Sequence, residues 1–369
     1  MRPDEYHARL TPLEWLEKAW NLPIKEAARR LYGLTTAIPR DVLAIHRHQS
    51  IARKRGKSLH LVVLSGNLGD IVAAEPTLHK IKKSDDYVVW LSRYSYTGLL
   101  DFNPNVDAVL PVDSITETLI LRRLLSHLRW TYLYVDGAVC SKFGFPVKNP
   151  NPAGVDDSNF YFRGTLADVY CLIGSGEKAN AQPIVYPDPS FDAQAFLSEI
   201  FENPEKPLLL LHITSDEAIR GWSTEPAQQT AEWVLAHSEF NIVELGLEPL
   251  LRKSSRTHLL RGGLPLSRQL ALFRTAKIFI GVDSGFLHVA NAMRVDSVVL
   301  LGHYRKFTNY LPCLPNDGDV VIRGAKHSTT IGSEEVIRAL GAIMARQGTA
   351  PLTDSHDAAN AAWTGRVAV

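Results

Sequence analysis

Two apolar runs more than two hundred residues apart, 59–64 and 277–282, each pass directly into a short polar turn with glycine and then into a helical pattern. The first turn is Ser65, Gly66, Asn67, Leu68, Gly69, Asp70; the second is Asp283, Ser284, Gly285, followed by Phe286, Leu287 and His288. A strand that runs through glycine into a helix start lets backbone approach a ligand closely. It also aims free N–H groups and the positive end of a helix dipole at that ligand, as a diphosphate requires. Taken singly, each turn reads equally as a plain tight turn. Asp70 reads either as a helix cap or as a general base facing a cleft, and His288 as a core or capping residue or as a phosphate contact.

Around these turns the chain alternates. Residues 59–64, 87–91, 107–112 and 131–135 read as strands, with helices between them such as 116–128. The helix after Asp70 carries Ile71, Ala73, Ala74, Leu78 and Ile81, with Pro76 expected only near its first turn. After Pro and Asn punctuation at 183–189 and 203–207 the alternation restarts: strands at 208–213, 241–245, 278–282 and 297–301, helices near 226–237, 267–275 and 285–293. This implies two doubly wound parallel sheets in tandem, divided near residue 200, with ligands at the carboxyl ends of the strands. The Pro-, Gly-, Asn- and Asp-rich stretch 140–163 is expected to be a long loop, of a length commonly either functional or disordered.

The chain lacks a three-glycine dinucleotide fingerprint and a GxxxxGK[ST] phosphate loop, which disfavours ordinary NAD or ATP chemistry. Cys140, Cys171 and Cys313 are too scattered for a disulfide framework or zinc site and read as buried thiols. His46 and His48 have a ligand-like spacing but lie in a basic surface segment. With no apolar run of membrane-spanning length and no signal peptide, cytoplasmic residence is expected, and no metal site is expected.

Charge is asymmetric: residues 1–57 hold 12 Lys and Arg against 6 Asp and Glu, the remainder 28 against 33. The excess gathers in Arg47, Arg53, Lys54, Arg55 and Lys57. It reads as a solvated linker or as a patch for an anionic membrane, and the lack of interleaved aromatics argues against nucleic acid. Apolar stripes on both sides of Pro23 (Leu13, Leu16, Ala19, Trp20; then Ile24, Ala27, Ala28, Leu31) predict two helices packed on the main body.

Over residues 58–345 the chain resembles glycosyltransferase family 9, the lipopolysaccharide heptosyltransferase group. The resemblance rests on Gly69, Asp70, Pro76 and Leu78; on Asn103, Pro104, Asn105, Val106 and Asp107; and on Asp283, Ser284, Gly285, His288 and Ala290, which match the donor motif Asp-[Ser/Thr]-Gly-x-x-His-x-Ala. Thr214, Ser215, Asp216, Arg220 and Trp222 align with a further polar segment. Ser223 replaces the usual Pro after Trp, and Gly302-His303 a Gly-Pro turn, so the nucleotide-base pocket is expected to differ.

The resemblance implies a GT-B fold: a basic helical extension (1–57), an acceptor domain (58–200), a nucleotide-sugar domain (201–345) and a flexible tail (346–369). It implies an inverting transferase that moves a heptose or related sugar from a nucleotide-diphosphate donor such as ADP-heptose to an anionic glycolipid or saccharide acceptor. No bound metal or other cofactor is required, and peripheral contact with the inner membrane is expected. Asp70 would be the base; Gly69, Thr214, Ser215, Arg220, Glu248, Asp283, Ser284, Gly285 and His288 would bind substrates, with Arg220 clamping phosphate and Glu248 a ribose. A catalytically silent nucleotide-sugar-binding or scaffold protein is the second reading, and a donor-consuming epimerase or hydrolase the third.

Overall fold

Runs of aliphatic and β-branched residues become strands because such side chains fit a pleated surface buried on both faces. The computed structural model describes residues 24–349 apart from 141–143, 249, 263, 305 and 306. In its first half β1 (Ser58–Val63), β2 (Asp86–Arg93), β3 (Ala108–Val112) and β4 (Arg129–Tyr132) form a parallel sheet in the order β3-β2-β1-β4. In the second half β5 (Leu208–His212), β6 (Asn241–Gly246), β7 (Thr257–Arg261), β8 (Ala276–Val282), β9 (Asp296–Leu301) and β10 (Val320–Arg323) pair in parallel as β10-β9-β8-β5-β6-β7.

The helices are α1 (Ile24–Lys54), α2 (Leu68–Ile81), α3 (Ile115–Leu124), α4 (Leu166–Ser175) and α5 (Ala193–Ile200), then α6 (Thr224–His237), α7 (Leu266–Thr275), α8 (Gly285–Ala292) and α9 (Ser333–Arg346). Side-chain caps fix several starts: Ser114 accepts from the Glu117 N–H, Thr165 from Asp168 and Asp192 from Ala195, each satisfying an N–H that the helix leaves unpaired. β1 and β2 are covered on both faces, and Leu61, Val62, Val63, Val88, Val89 and Trp90 are wholly buried. This is the GT-B architecture of two parallel-sheet α/β units.

The strand orders locate the crevices. The first sheet changes winding direction between β1 and β4, the second between β5 and β8. Loops leaving the carboxyl ends at these switch points are where doubly wound sheets bind ligands. They are 64–67 after β1, the long connection after β4, 213–223 after β5, and 283–284 after β8.

The structure departs from the sequence reading in places. Pro76 lies well inside α2, not in its first turn, so α2 forgoes one internal hydrogen bond. Burial of Ile71, Val72, Ala74, Leu78 and Ile81 holds the helix regardless. β4 begins two residues earlier than expected, and α3 stops at Leu124. The short strands β7 and β10, and the helices α4 and α9, were not read from the sequence.

At the amino end, the expected stripe on Leu13 to Trp20 and the break at Pro23 lie outside the described residues. The following helix is single and passes through Pro39; it buries Leu34, Ala37, Asp41, Ile45 and Ala52 against α3, β1 and β2. The basic run ends this helix, where Arg55 lies over the Tyr87 ring and 3.7 Å from Asp107. Of the expected tail, α9 includes Arg346, and residues from 350 onward lie outside the described ones.

Candidate functional site

The two glycine turns meet. A Cβ added to Gly69 would lie 2.7 Å from the His288 ring, and one on Gly285 would lie 2.5 Å from Leu68 Cβ. Each is a distance that a side chain does not tolerate, so α2 and α8 approach across the seam between the domains only because both positions are glycine. Asn67 donates from its amide to Asp216 of the second domain (3.1 Å) and accepts from Arg93 (3.2 Å), adding a polar bridge.

Asp70 occupies the first turn of α2, so the capping reading is met in one respect: its Oδ2 accepts from the Asn67 backbone N–H at 2.7 Å. Its Oδ1 accepts from the hydroxyl of Tyr170 on α4, also at 2.7 Å. Burial, and then the Asp70 charge, hold the Tyr170 phenol well above its ordinary range, so it stays protonated and donates. The same loop is tied down at its start, where the Ser65 N–H donates to the Tyr134 hydroxyl at 2.8 Å.

Asp283, buried at the end of β8, is held differently. Its Oδ2 accepts from Arg220 Nη1 (3.1 Å) and from the Tyr310 hydroxyl (2.7 Å), and its backbone carbonyl accepts from Ser215 Oγ (3.4 Å). Burial acts to lower the basicity of Arg220, but Asp283 and Glu217 outweigh it and hold the guanidinium firmly charged. The guanidinium lies 5.2 Å above the Tyr304 ring. Its buried Nε makes no hydrogen bond to any described residue, with the Glu217 carboxylate 3.6 Å away. The buried Ser284 Oγ likewise has no hydrogen-bond partner among the described residues.

Ser284 immediately precedes α8, whose first N–H groups therefore open toward the seam. His288 is buried on α8 with its ring against Gly69. Burial lowers its pKa, against the pull of Asp283 and Asp70, which favours the neutral imidazole near pH 7.

Thr214 and Ser215 are half-buried beyond β5, in the loop that carries Arg220. Trp222 anchors that loop: its ring is buried, its indole N–H donates to the Ile331 carbonyl (2.9 Å), and its backbone N–H donates to Ile213. Ser223, where the family usually has Pro, occupies the N-cap position of α6 without a side-chain cap; its hydroxyl instead donates to the Thr329 carbonyl at 2.8 Å.

Glu248 is exposed two residues beyond β6, without a hydrogen bond or ion pair to other described residues, so the structure does not join it to the Asp70–Asp283 cluster. The turn that carries it is held by buried Glu244, which accepts from Leu250 and Leu251 N–H at 2.8 Å each.

Sequence reasoning missed the aromatic residues. Tyr170 and Tyr310 hold the two carboxylates, and Phe160, Tyr161 and Phe162 interlock with Tyr304, Phe307 and Tyr310 across the seam. The Tyr161 and Tyr310 centroids lie 4.9 Å apart, those of Phe160 and Phe307 5.0 Å. The available signal was tyrosine within otherwise aliphatic stretches, since a buried phenol needs a partner. Among the described residues no three of His, Cys, Asp and Glu form a metal-binding group. His46 and His48 are not joined either: the first faces Gln49, the second Tyr87.

Comparison with known proteins agrees with this arrangement. Residues 237–330 match the model of glycosyltransferase family 9 (heptosyltransferase). No curated protein matches the chain in sequence. Among solved structures, a family 9 glycosyl transferase from Veillonella parvula superposes with a TM-score of 0.59 at 16% identity, covering 78% of this chain and 97% of that one. The E. coli ADP-heptose lipopolysaccharide heptosyltransferase II gives 0.58 at 17% identity, over 79% and 99%. E. coli heptosyltransferase WaaC, solved with ADP, gives 0.51 at 13%, over 77% and 99%. At such identities the superpositions establish the fold.

Proposed function

We propose that the chain, whose residues 237–330 match the glycosyltransferase family 9 model and whose fold is GT-B, transfers a heptose, with inversion, from ADP-heptose to a lipopolysaccharide-type saccharide. The observation that carries this reading is the meeting of Asp70 with the Asp283–His288 turn through Gly69 and Gly285. Asp70 would take the proton from the acceptor hydroxyl as it attacks the anomeric carbon from the face opposite the diphosphate. The N–H groups at the start of α8, Ser284 Oγ and Arg220 would stabilise the departing nucleotide diphosphate, so that a metal is not required for this task. Arg220 would exchange part of its pairing with Asp283 for phosphate oxygen.

Thr214, Ser215 and the exposed Glu248 would bind the rest of the donor, the glutamate reaching the ribose when the loop after β6 folds over it. The acceptor would be an anionic glycolipid at the cytoplasmic face of a membrane, approached through the exposed basic end of α1. No helix among the described residues is long and apolar enough to cross a membrane.

Thermal stabilisation across nucleotide diphosphates and their sugars tests the donor. A ligand at 100 times its Kd adds about 2.7 kcal/mol. Selective stabilisation by ADP and ADP-heptose is expected; preference for UDP or GDP would replace the heptose with another sugar. Stabilisation without transfer to heptose-deficient lipopolysaccharide would turn the reading toward a silent binding protein.

A further inference from the structure

The carboxylate of Asp70 needs more than a place at the seam, because an aspartate side chain turns easily about its last torsion. A single anchor, the Asn67 N–H on Oδ2, would leave the carboxylate plane free to swing. The second anchor comes from a different element, a hundred residues away in sequence. Tyr170 is buried in the middle of α4, and its hydroxyl reaches Oδ1 at 2.7 Å.

The helix that delivers this hydroxyl is itself tightly set. Thr165 and Asp168 cap its start reciprocally, and Gly176 ends it in the left-handed region, with φ of 82°. Gly174 presses it onto α2: a Cβ there would lie 2.4 Å from Thr77 Cγ2 and 3.0 Å from Leu133. α4 and α2 thus hold a spacing at which a tyrosine just spans to the carboxylate. Neither Tyr170 nor Gly174 belongs to the motifs that carry the family resemblance.

We propose that Tyr170 is the positioning residue of the base: its hydroxyl, set at the right depth by Gly174, fixes the plane of the Asp70 carboxylate and leaves its remaining lone pairs turned to the seam. A carboxylate offers about four acceptor sites. Two are taken by Tyr170 and Asn67, and the others stay open for an acceptor hydroxyl. The donor is a neutral phenol, so the carboxylate is oriented without a cation to quench its charge. This role rests on the reading of Asp70 as the base.

The test is carboxyl-carbon NMR of the full-length chain labelled at aspartate, with the Asp70 resonance assigned by its loss in Asp70→Asn. In Tyr170→Phe that resonance is expected to change position at fixed pH, since one of the two donors to the carboxylate is gone. With ADP-heptose and heptose-deficient lipopolysaccharide as probes, kcat is expected to fall about 10- to 100-fold with donor KM unchanged, the penalty of a misaimed group. Gly174→Ala, which keeps the hydroxyl but lifts α4, should move both readouts in the same direction. An Asp70 carboxyl resonance at the same position in the parent and Tyr170→Phe, with kcat unchanged, overturns the proposal. If instead the resonance moves but Asp70→Asn transfers sugar as well as the parent, Tyr170 holds the carboxylate as described and the assignment of the base is what fails.

Discussion

Asp70 and Asp283 face the same seam, yet their surroundings suit them to opposite tasks. Asp70 is held by two neutral donors, the Tyr170 hydroxyl and a backbone N–H; Asp283 is held by the Arg220 cation together with Tyr310. A cation beside a carboxylate neutralises it in an ion pair, whereas neutral donors orient it without adding an opposite charge. On the proposed function this contrast suits the first carboxylate to proton removal and the second to holding an anion-binding guanidinium in place.

The largest expected effect comes from neutralising each aspartate in turn. Asp70→Asn should lower kcat by about 10²–10⁴-fold with nucleotide affinity retained. Asp283→Asn should instead weaken ADP binding, because Arg220 and Tyr310 lose the partner that sets their positions. Calorimetric ADP titration beside initial rates separates the two, and an identical pattern for both variants would erase the distinction.

A smaller effect is expected from the contact that brings the two sides together. Gly285→Ala places a methyl group against Leu68 Cβ, where nothing can yield without backbone movement. A destabilisation of about 1–3 kcal/mol in urea unfolding is expected. Gly341→Ala, at a position open on α9, should cost nothing.

The smallest effect concerns a carboxylate pair remote from the seam. Glu117 on α3 is buried near Asp41 of α1, and burial first, then Asp41, push its pKa up to about 8. Arg40 offsets part of this, at 2.7 Å from Asp41 and 3.9 Å from Glu117. A carboxyl whose folded pKa is raised contributes stability fully present below its unfolded value, near 4.5, and lost as pH rises through about 8. Melting temperature should therefore fall between about pH 4.5 and 8 in the parent and fall less in Glu117→Gln. Equal slopes would show that the pair does not titrate with unfolding.

The alternation of apolar runs and helical stripes was enough to read two doubly wound parallel sheets in tandem, because strands buried on both faces leave continuous runs such as 208–211; the GT-B label came with the family resemblance. Each glycine turn was ambiguous singly, and it was their recurrence at two strand ends, together with the motif match, that marked them. What lay beyond reach was any contact made by a residue that looks ordinary where it stands. Tyr170 lies in a helix whose pattern says only core, and its hydroxyl acquires a task from Asp70 a hundred residues earlier. Glu248 shows the opposite case: strand-end position singled it out, but it lies exposed beyond β6, apart from the cluster, and its ribose role remains a proposal. Pro76 inside α2 could not be foreseen from propensity, since the burial that overrides it is tertiary.

The reciprocal glycine contact also bears on how the protein comes into being. About two hundred residues separate Asp70 from His288, on the order of ten to forty seconds of synthesis. During that interval the first domain can fold around Asp70 while the turn proposed to bind the diphosphate does not yet exist. A chain interrupted anywhere before α8 is thus expected to carry a well-formed carboxylate and no means of activating a sugar toward it, so incomplete copies are chemically mute.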